Sequence, residues 1–374
     1  MLAASMTLDL PPREWDACAG TANPFVTHGF FTALEHSGSA IPSAGWTPQP
    51  LVLRDPEGRP LGFAPLYRKS HSWGEYVFDQ AWAQAWQRAG GRYYPKLLVG
   101  VPFTPVPGPR LLVRPGAPED TRDRLIHGIE QATRGLSSAH VTFIEEADRA
   151  AFAARGWALR AGYQFHFHNP GYPDFEAFLA TLQSHRRKDI RRERRLAQGC
   201  GLALKTLVGR DITEEKWVQF HALYTANSDR KWGQAYLTPT FFAEMGAALG
   251  DRVILTVAME GEALIAAALH LRGEQALYGR NWGASRQIPF LHFELCYYMA
   301  LDLAFREGIG RIEAGAQGEH KLQRGYLPSL TWSAHYLPDP GFRRAVEAFC
   351  AEERARIEQG IATIEGPFRA APGA

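Results

Sequence analysis

LVLRDPEGRPLGFAPLYR (residues 51–68) and LTVAMEGEALIAAALHLR (residues 255–272) read alike, and together they decide the fold. Each is an apolar strand, an acidic-glycine turn (Glu57-Gly58 and Glu260-Gly261) and a second apolar strand, the pattern of a β-hairpin. The likeness extends in both directions. Upstream, Thr27, Phe30, Phe31 and Leu34 match Thr238, Phe241, Phe242 and Met245, each set a capping threonine, a Phe pair and an apolar residue one turn on. Downstream, EYVFD (75–79) and ALYGRNW (276–282) read as a third strand in each half. Further on, VTFIEEADRAAFAARGWALRAGYQFHF (141–167) matches RIEAGAQGEHKLQRGYLPSLTWSAHYL (311–337), centred on Arg155-Gly156-Trp157 and Arg324-Gly325-Tyr326. Three matched blocks in one order make an internal duplication.

Helices fill the gaps between the blocks. Leu125, Ile126, Ile129 and Ala132 form the apolar stripe of a helix over 123–135. Residues 291–306 are apolar nearly all round and predict a buried helix, with Gly308 as its C′ residue. Each half therefore runs hairpin, third strand, crossover helix, fourth strand, short helix ending in Gly, last strand. Residues 341–365 predict a closing amphipathic helix.

The chain has 374 residues, which at roughly 100–200 residues per domain suits two domains. Its 45% hydrophobic and 21% charged residues exclude wholesale disorder. No apolar run reaches the ~18–20 residues of a membrane span, so no stable membrane insertion is expected. The opening MLAASMTLDLPPREW lacks a basic segment before an apolar core and does not read as a signal peptide. Cys18, Cys200, Cys296 and Cys350 are widely spaced, which points to reduced thiols and a cytoplasmic location. No Walker loop, Rossmann fingerprint or Gly-x-Ser-x-Gly elbow is present. His166 and His168 share a strand face, but no carboxylate or thiol at matching spacing makes them a metal pair, and no metal is expected.

Charge is placed unevenly. Arg186, Arg187, Lys188, Arg191, Arg192, Arg194 and Arg195 crowd into HRRKDIRRERR, interrupted by Asp189, Ile190 and Glu193. Asp174 is placed to cap one helix over 174–199 whose second half carries this run. Such a helix is either a solvated face with cations at its C-terminal end or a contact for phosphates.

A duplicated hairpin–strand–helix–strand plan resembles the GNAT acyltransferase superfamily, and two such domains in tandem with a basic helix between them resemble the FemABX family, closest to its FemAB-like, peptidoglycan biosynthesis/recognition branch. The residues carrying this are HRRKDIRRERRLAQGCGLALK (185–205), RKWGQAYLTPTFF (230–242), YGRNWGA (278–284) and GAQGEHKLQRGYLPSLTWSAHYL (315–337). The resemblance implies an α+β fold of two tandem GNAT-like domains. The first spans 1–170 on the acceptor side, with an inserted loop at 80–120. A basic linking helix at 171–200 leads to a second domain at 201–340 on the acyl-donor side, and a helix and tail fill 341–374. It implies amide formation on an amine acceptor, a peptidoglycan precursor or small molecule, with charged tRNA as donor and no bound cofactor beyond the aminoacyl-tRNA or acyl-CoA co-substrate.

The family's basic segment near the last strands matches His320-Lys321-Leu322-Gln323-Arg324-Gly325-Tyr326, with Gln323 a departure from it. Lys321 is the candidate for oxyanion or phosphate stabilisation, with Arg324 and Tyr326 beside it, and Glu319 or His320 as a proton acceptor. Lys188, Arg191, Arg192 and Arg195 would meet tRNA phosphates. Arg280, Asn281 and Trp282 end a strand where superfamily strands splay. Arg230, Lys231 and Trp232 form a possible substrate clamp, and Lys69, His71, Glu75 and Asp79 flank the first half's strands as possible acceptor contacts. Trp82, Trp86, Tyr93 and Tyr94 are expected to cover core and cleft within the inserted loop, and VPFTPVPGPR (101–110) to line a cleft as an extended wall. The acetyl-CoA enzymes' glycine-rich loop before the crossover helix is missing at 286–291 and at 115–120, which disfavours CoA. A CoA-dependent N-acyltransferase and a non-catalytic peptide or glycopeptide recognition protein are the other readings.

Overall fold

The computed structural model describes residues 6–7, 10–232, 235–315 and 318–369, with the side chains of 229–232 outside that description. The first half runs α1 (Pro12–Ala19), α2 (His28–His36), β1 (Trp46–Pro48), β2 (Leu51–Arg54), β3 (Pro60–Ala64), β4 (Leu66–Lys69), α3 (Gln80–Arg88), β5 (Lys96–Val99), β6 (Leu112–Val113), α4 (Thr121–Ala132), β7 (Ala139–Ile144), α5 (Glu146–Ala154) and β8 (Ala158–His168). Then come α6 (Phe175–Thr181), α7 (Ser184–Gln198), β9 (Ala203–Val208), α8 (Glu214–Trp232), α9 (Pro239–Leu249), β10 (Val253–Glu260), β11 (Ala263–Arg272) and β12 (Ala276–Ala284). The crossover α10 (Leu291–Phe293) passes through a π turn (Glu294–Tyr298) into α11 (Met299–Glu307), followed by β13 (Arg311–Glu313), β14 (Leu327–Tyr336) and α12 (Pro340–Ala362).

Two compact units emerge, one of 1–163 with 330–363, the other of 164–329 with 364–374. In the first, strands lie in the order β1-β4-β5-β7-β14, and β5 and β7 are parallel across the α4 crossover. In the second the order is β8-β13-β12-β11-β10-β9, and β12 and β13 are parallel across the α10–α11 crossover. Antiparallel strands, one crossover helix and one parallel strand occur in both, as the duplication requires. The core of the first is built on Leu97, Val99, Ile126, Ile129, Val141 and Trp157. That of the second is built on Phe165, Phe167, Phe178, Leu301 and Ile312. Gly156 (φ 75°) and Gly325 (φ 87°) both turn the chain out of a short helix into the next strand, a conformation open to glycine at little cost.

The structure departs from the sequence reading in five places. The hairpin at 51–64 is not the counterpart of 255–272: β2 and β3 join β6 in a separate three-stranded sheet, and β1 and β4 take the places beside β5 that β10 and β11 hold beside β12. The last strands are exchanged: β8 leaves the first half to pair with β13, and β14 leaves the second to pair with β7. The units therefore divide at 163/164 and 329/330, not at 170 and 340, and α12 packs through Phe342, Val346 and Cys350 against Trp82 and Tyr93 of the first unit. EYVFD (75–79) is no strand: Gly74 and Tyr76 take positive φ, Glu75 and Asp79 turn inward, and β5 is the third strand. The segment 80–120 accordingly holds α3, β5 and β6 and is not simply an inserted loop. The basic helix is two helices. Asp174 caps α6 by accepting from the Ala177 N–H, but Leu182 and Gln183 are extended before α7 begins. Both helices belong to the second unit.

Candidate functional site

The second unit contains a gap made by its own topology. β12 pairs with β13 only over Ala276–Tyr278, opposite Arg311–Glu313, while β12 continues to Ala284. Beyond that register the ladder ends, with Ala314 and Gly315 still beside Gly279, and a chamber of about 80 Å³ lies where Gly279–Trp282, Ala314, His270, Cys296 and Tyr297 converge. Trp282 and His292, their rings 5.0 Å apart, also border a larger cleft of about 620 Å³ lined by Asn227, Arg286 and Pro289. Strand alternation places Tyr278, Arg280 and Glu313 on one face of the sheet, with Gly279, Ala314 and His270 on the other.

Glu313 is the group that the sequence does not announce. It is 3% exposed, its Oε1 accepts from Arg311 Nε at 2.9 Å, and its Oε2 has no hydrogen-bond partner among the described residues. His166 Nε2 stands 3.9 Å from Oε2. Burial pushes the carboxyl up to about 7, against the pull of Arg311 and Arg280. Burial likewise pushes His166 down to about 3, so it faces Glu313 as a neutral imidazole. His166 had shown only as a strand-face neighbour of His168. Its carboxylate neighbour comes from another strand.

The segment 319–324 is a 3-10 helix. Lys321 is 1% exposed and its Nζ donates to Gly315 O at 2.7 Å, one residue past the chamber-lining Ala314. Burial pulls the amine down to about 8, opposed by Cys296. His320 Nε2 lies 2.9 Å from the hydroxyl of the chamber-lining Tyr297. Arg324 is buried. It donates to both Glu193 oxygens at 2.8 and 2.7 Å and stacks 3.5 Å from the Phe293 ring centroid. Glu319 is exposed, and Tyr326 is a core ring against Phe167 and Tyr297. The sequence-based set is thus brought together in part. Arg280, Asn281 and Trp282 line the chamber, Lys321 and His320 border it, and Arg324 braces α7. Arg230, Lys231 and Trp232 end α8, and their side chains lie outside the described residues.

Lys69, His71 and Asp79 belong to the first unit, where they join a closed network. Lys96, fully buried, pairs with Asp79 and at 2.8 Å with Glu75, and also donates to Ser72. Burial by itself would raise the Asp79 carboxyl, but Lys96 more than offsets this and holds it well below the usual range. Glu75 stays raised by burial. Lys69 Nζ sits 3.3 Å from the Trp46 ring centroid, and burial pulls it down to about 7. His71 Nδ1 accepts from the Trp73 N–H. These groups pair inside the fold, with Glu75 Oε1 and Asp79 Oδ1 left without a hydrogen bond among the described residues. The Pro-rich 101–110 segment is no cleft wall. It folds back on β7, with Gly108 donating to Phe143 O at 3.0 Å and the buried Arg110 to Thr142 O at 2.8 Å.

The cations of α7 are used unequally. Arg194 spans Glu294 and Asp302, Arg191 meets Glu176, Arg186 stands 3.9 Å from Asp189, and Arg187 donates to Leu182 O. Lys188, Arg192 and Arg195 are exposed and carry no ion pair among the described residues. Their i, i+4, i+7 spacing puts them in one stripe. Fewer cations are free than the sequence suggests, because partners come from elements far along the chain.

A protein-family model, FemAB-like, described as peptidoglycan biosynthesis/recognition, matches residues 7–370. No curated protein matches the chain in sequence. Among solved structures, the C-terminal domain of a putative lysylphosphatidylglycerol synthetase from Agrobacterium fabrum is similar at a TM-score of 0.52 and 10% identity, over 96% of this chain and 98% of that one. FemX is similar at 0.51 and 11%, over 90% and 98%. L-PGS from Bacillus licheniformis is similar at 0.50 and 10%, over 89% and 98%. The chain belongs to the FemAB-like family, and its two units share one plan of antiparallel strands, a crossover helix and a parallel strand.

Proposed function

We propose that this FemAB-like protein transfers an aminoacyl group from charged tRNA to an amine of a peptidoglycan-related acceptor, in the cytoplasm, and that the second unit holds the donor. The observation that carries this reading is the chamber where the β12–β13 ladder ends, with a carboxyl near 7 on Glu313, next in the chain to its lining residue Ala314, and a lysine near 8 bonded to Gly315 O. In aminolysis the acceptor nitrogen attacks the ester carbonyl, the C–N bond forms, the C–O bond to ribose breaks, and one proton passes from nitrogen to the ribose oxygen. Glu313, ionised at neutral pH in part, takes that proton and returns it. The Lys321 ammonium faces the developing oxyanion. With the aminoacyl group in the chamber, the acceptor amine approaches from the face that bears Glu313 and Arg280. The free stripe of Lys188, Arg192 and Arg195 meets tRNA phosphates, with Arg191 joining when it leaves Glu176.

An acyl-CoA donor would need free main-chain N–H groups where α10 begins. Pro289 has none, and the Leu291 N–H is already donated to Ile288 O. The test offers the purified protein total tRNA charged with labelled amino acids, or labelled acetyl-CoA, each with a lysine-containing peptidoglycan precursor peptide. Label is expected in the peptide from tRNA alone. Transfer from acetyl-CoA would establish the CoA reading, and binding of the peptide without transfer from either donor would make this a recognition protein.

A further inference from the structure

His270 sits in the middle of β11, opposite Gly279, and its side chain is 1% exposed. Its ring is one wall of the 80 Å³ chamber. Nε2 lies 3.1 Å from Thr256 Oγ1. The threonine hydroxyl has one proton, and its shortest acceptor is Leu295 O at 2.8 Å. With that proton spent, Oγ1 accepts from the imidazole, which fixes the neutral Nε2–H tautomer. Burial supports neutrality by pushing the ring down to about 4. Nδ1 is then a lone-pair acceptor. It has no partner among the described residues, and a Cβ built on Gly279 would stand 3.7 Å from it, so it looks across toward β12 where the gap begins. Ala268, Leu269 and Ala314 supply apolar lining to the chamber, and Arg280, Asn281, His292 and Tyr297 the rest of its polar groups.

Resting on the aminoacyl-transfer reading, we propose that His270 Nδ1 is a specificity-determining acceptor, one that selects donors whose transferred group carries an N–H or O–H close to the carbonyl and rejects plain acyl groups. A buried acceptor loses its water when the chamber fills. An occupant that donates to it restores the bond, and a methyl in the same place leaves it unmet. The size of the chamber adds to this. At about 80 Å³ it is smaller than the ~150 Å³ cavity that accepts benzene, so one small polar group fills it. The same acceptor thus separates aminoacyl or hydroxyacyl donors from acetyl or propionyl ones.

The probes are three stable amides of 3′-amino-3′-deoxyadenosine, carrying glycyl, glycolyl or propionyl, which differ only in an amine, a hydroxyl or a methyl. Dissociation constants are measured for the wild type, His270→Leu and Thr256→Val. In the wild type at least one of the two donor-bearing probes is expected to bind about tenfold or more tighter than propionyl. Which of them does so identifies the amine or the hydroxyl as the recognised group. His270→Leu should bring all three within about twofold. Should that variant fail to fold, Thr256→Val, which releases the tautomer, should narrow the gap, and an unchanged gap would overturn the proposal. Imidazole nitrogen NMR of the wild type gives an independent reading. The Nε2–H form is expected, with Nδ1 shifting when the better probe is added, and an Nδ1–H form overturns the proposal whatever binds. Equal binding of all three probes sinks the inference and leaves the transfer reading standing. No binding of any of them sinks both.

Discussion

The two crossovers differ in what fills the space beyond them. In the first unit, β5 and β7 run parallel over Leu97–Val99 and Ala139–Val141. The chain then folds back as residues 101–110, bridging Gly108 to Ile144 and burying Arg110. In the second unit, the β12–β13 ladder ends at Tyr278 and Glu313, and the chamber opens just beyond it. Both units leave buried polar atoms unmet. Lys96 answers one oxygen each of Glu75 and Asp79 and leaves Glu75 Oε1 and Asp79 Oδ1 without a hydrogen bond among the described residues, as Glu313 Oε2 and His270 Nδ1 are left in the second unit. A duplicated fold has closed one copy of its gap as a scaffold and kept the other as a site. What distinguishes the second unit is that one unmet group, His270 Nδ1, lines an open chamber.

The sharpest way to break this comparison is in the closed copy. Lys96→Met strands two buried carboxylates and is expected to cost about 3–5 kcal/mol of stability, read by urea unfolding. A stable variant would mean the network does not hold the first unit. In the open copy, Lys321→Ala should lower transfer about 10²–10³-fold while far-UV circular dichroism is unchanged. The pH profile sharpens the point. Transfer needs Glu313 ionised and Lys321 protonated, so the rate should rise through about 7 and fall through about 8. Glu313→Gln should remove the rising limb. The smallest effect is expected on α7. Replacing Lys188, Arg192 and Arg195 together by Gln should leave stability within about 0.5 kcal/mol. The same triple change should flatten the log–log salt dependence of tRNA binding by about 2–3. Arg194→Gln, which breaks a partly buried bridge, should instead destabilise the protein and leave the slope alone.

The parts legible in the sequence were those written locally. The two hairpin turns, the crossover helices, Asp174 and Thr238 as caps, and the paired Gly156 and Gly325 all follow from periodicity and turn chemistry, but the equivalence of 51–68 with 255–272 does not hold, since β2 and β3 sit in a separate sheet. The third strand of the first half was not legible. EYVFD alternates like a strand, and only the ion pairing of Glu75 and Asp79 with Lys96 turns it inward. Strand exchange was hidden too, since β8 and β14 would read the same in either unit. The break at Leu182-Gln183 has no Gly or Pro to signal it. Glu313 and His270 lie in ordinary strand sequence. Their character comes from burial and from Arg311, His166 and Thr256, which meet them only in the fold.

The claim that the open gap is the donor site is tested most directly by a crystal structure with the glycyl amide of 3′-amino-3′-deoxyadenosine. The glycyl group is expected between Gly279–Trp282 of β12 and Ala314 beyond β13, with the nucleoside toward the Trp282–His292 cleft and the first unit's 101–110 segment unmoved. A probe seated in the first unit, or a second-unit chamber left unoccupied while the probe binds elsewhere, would contradict it.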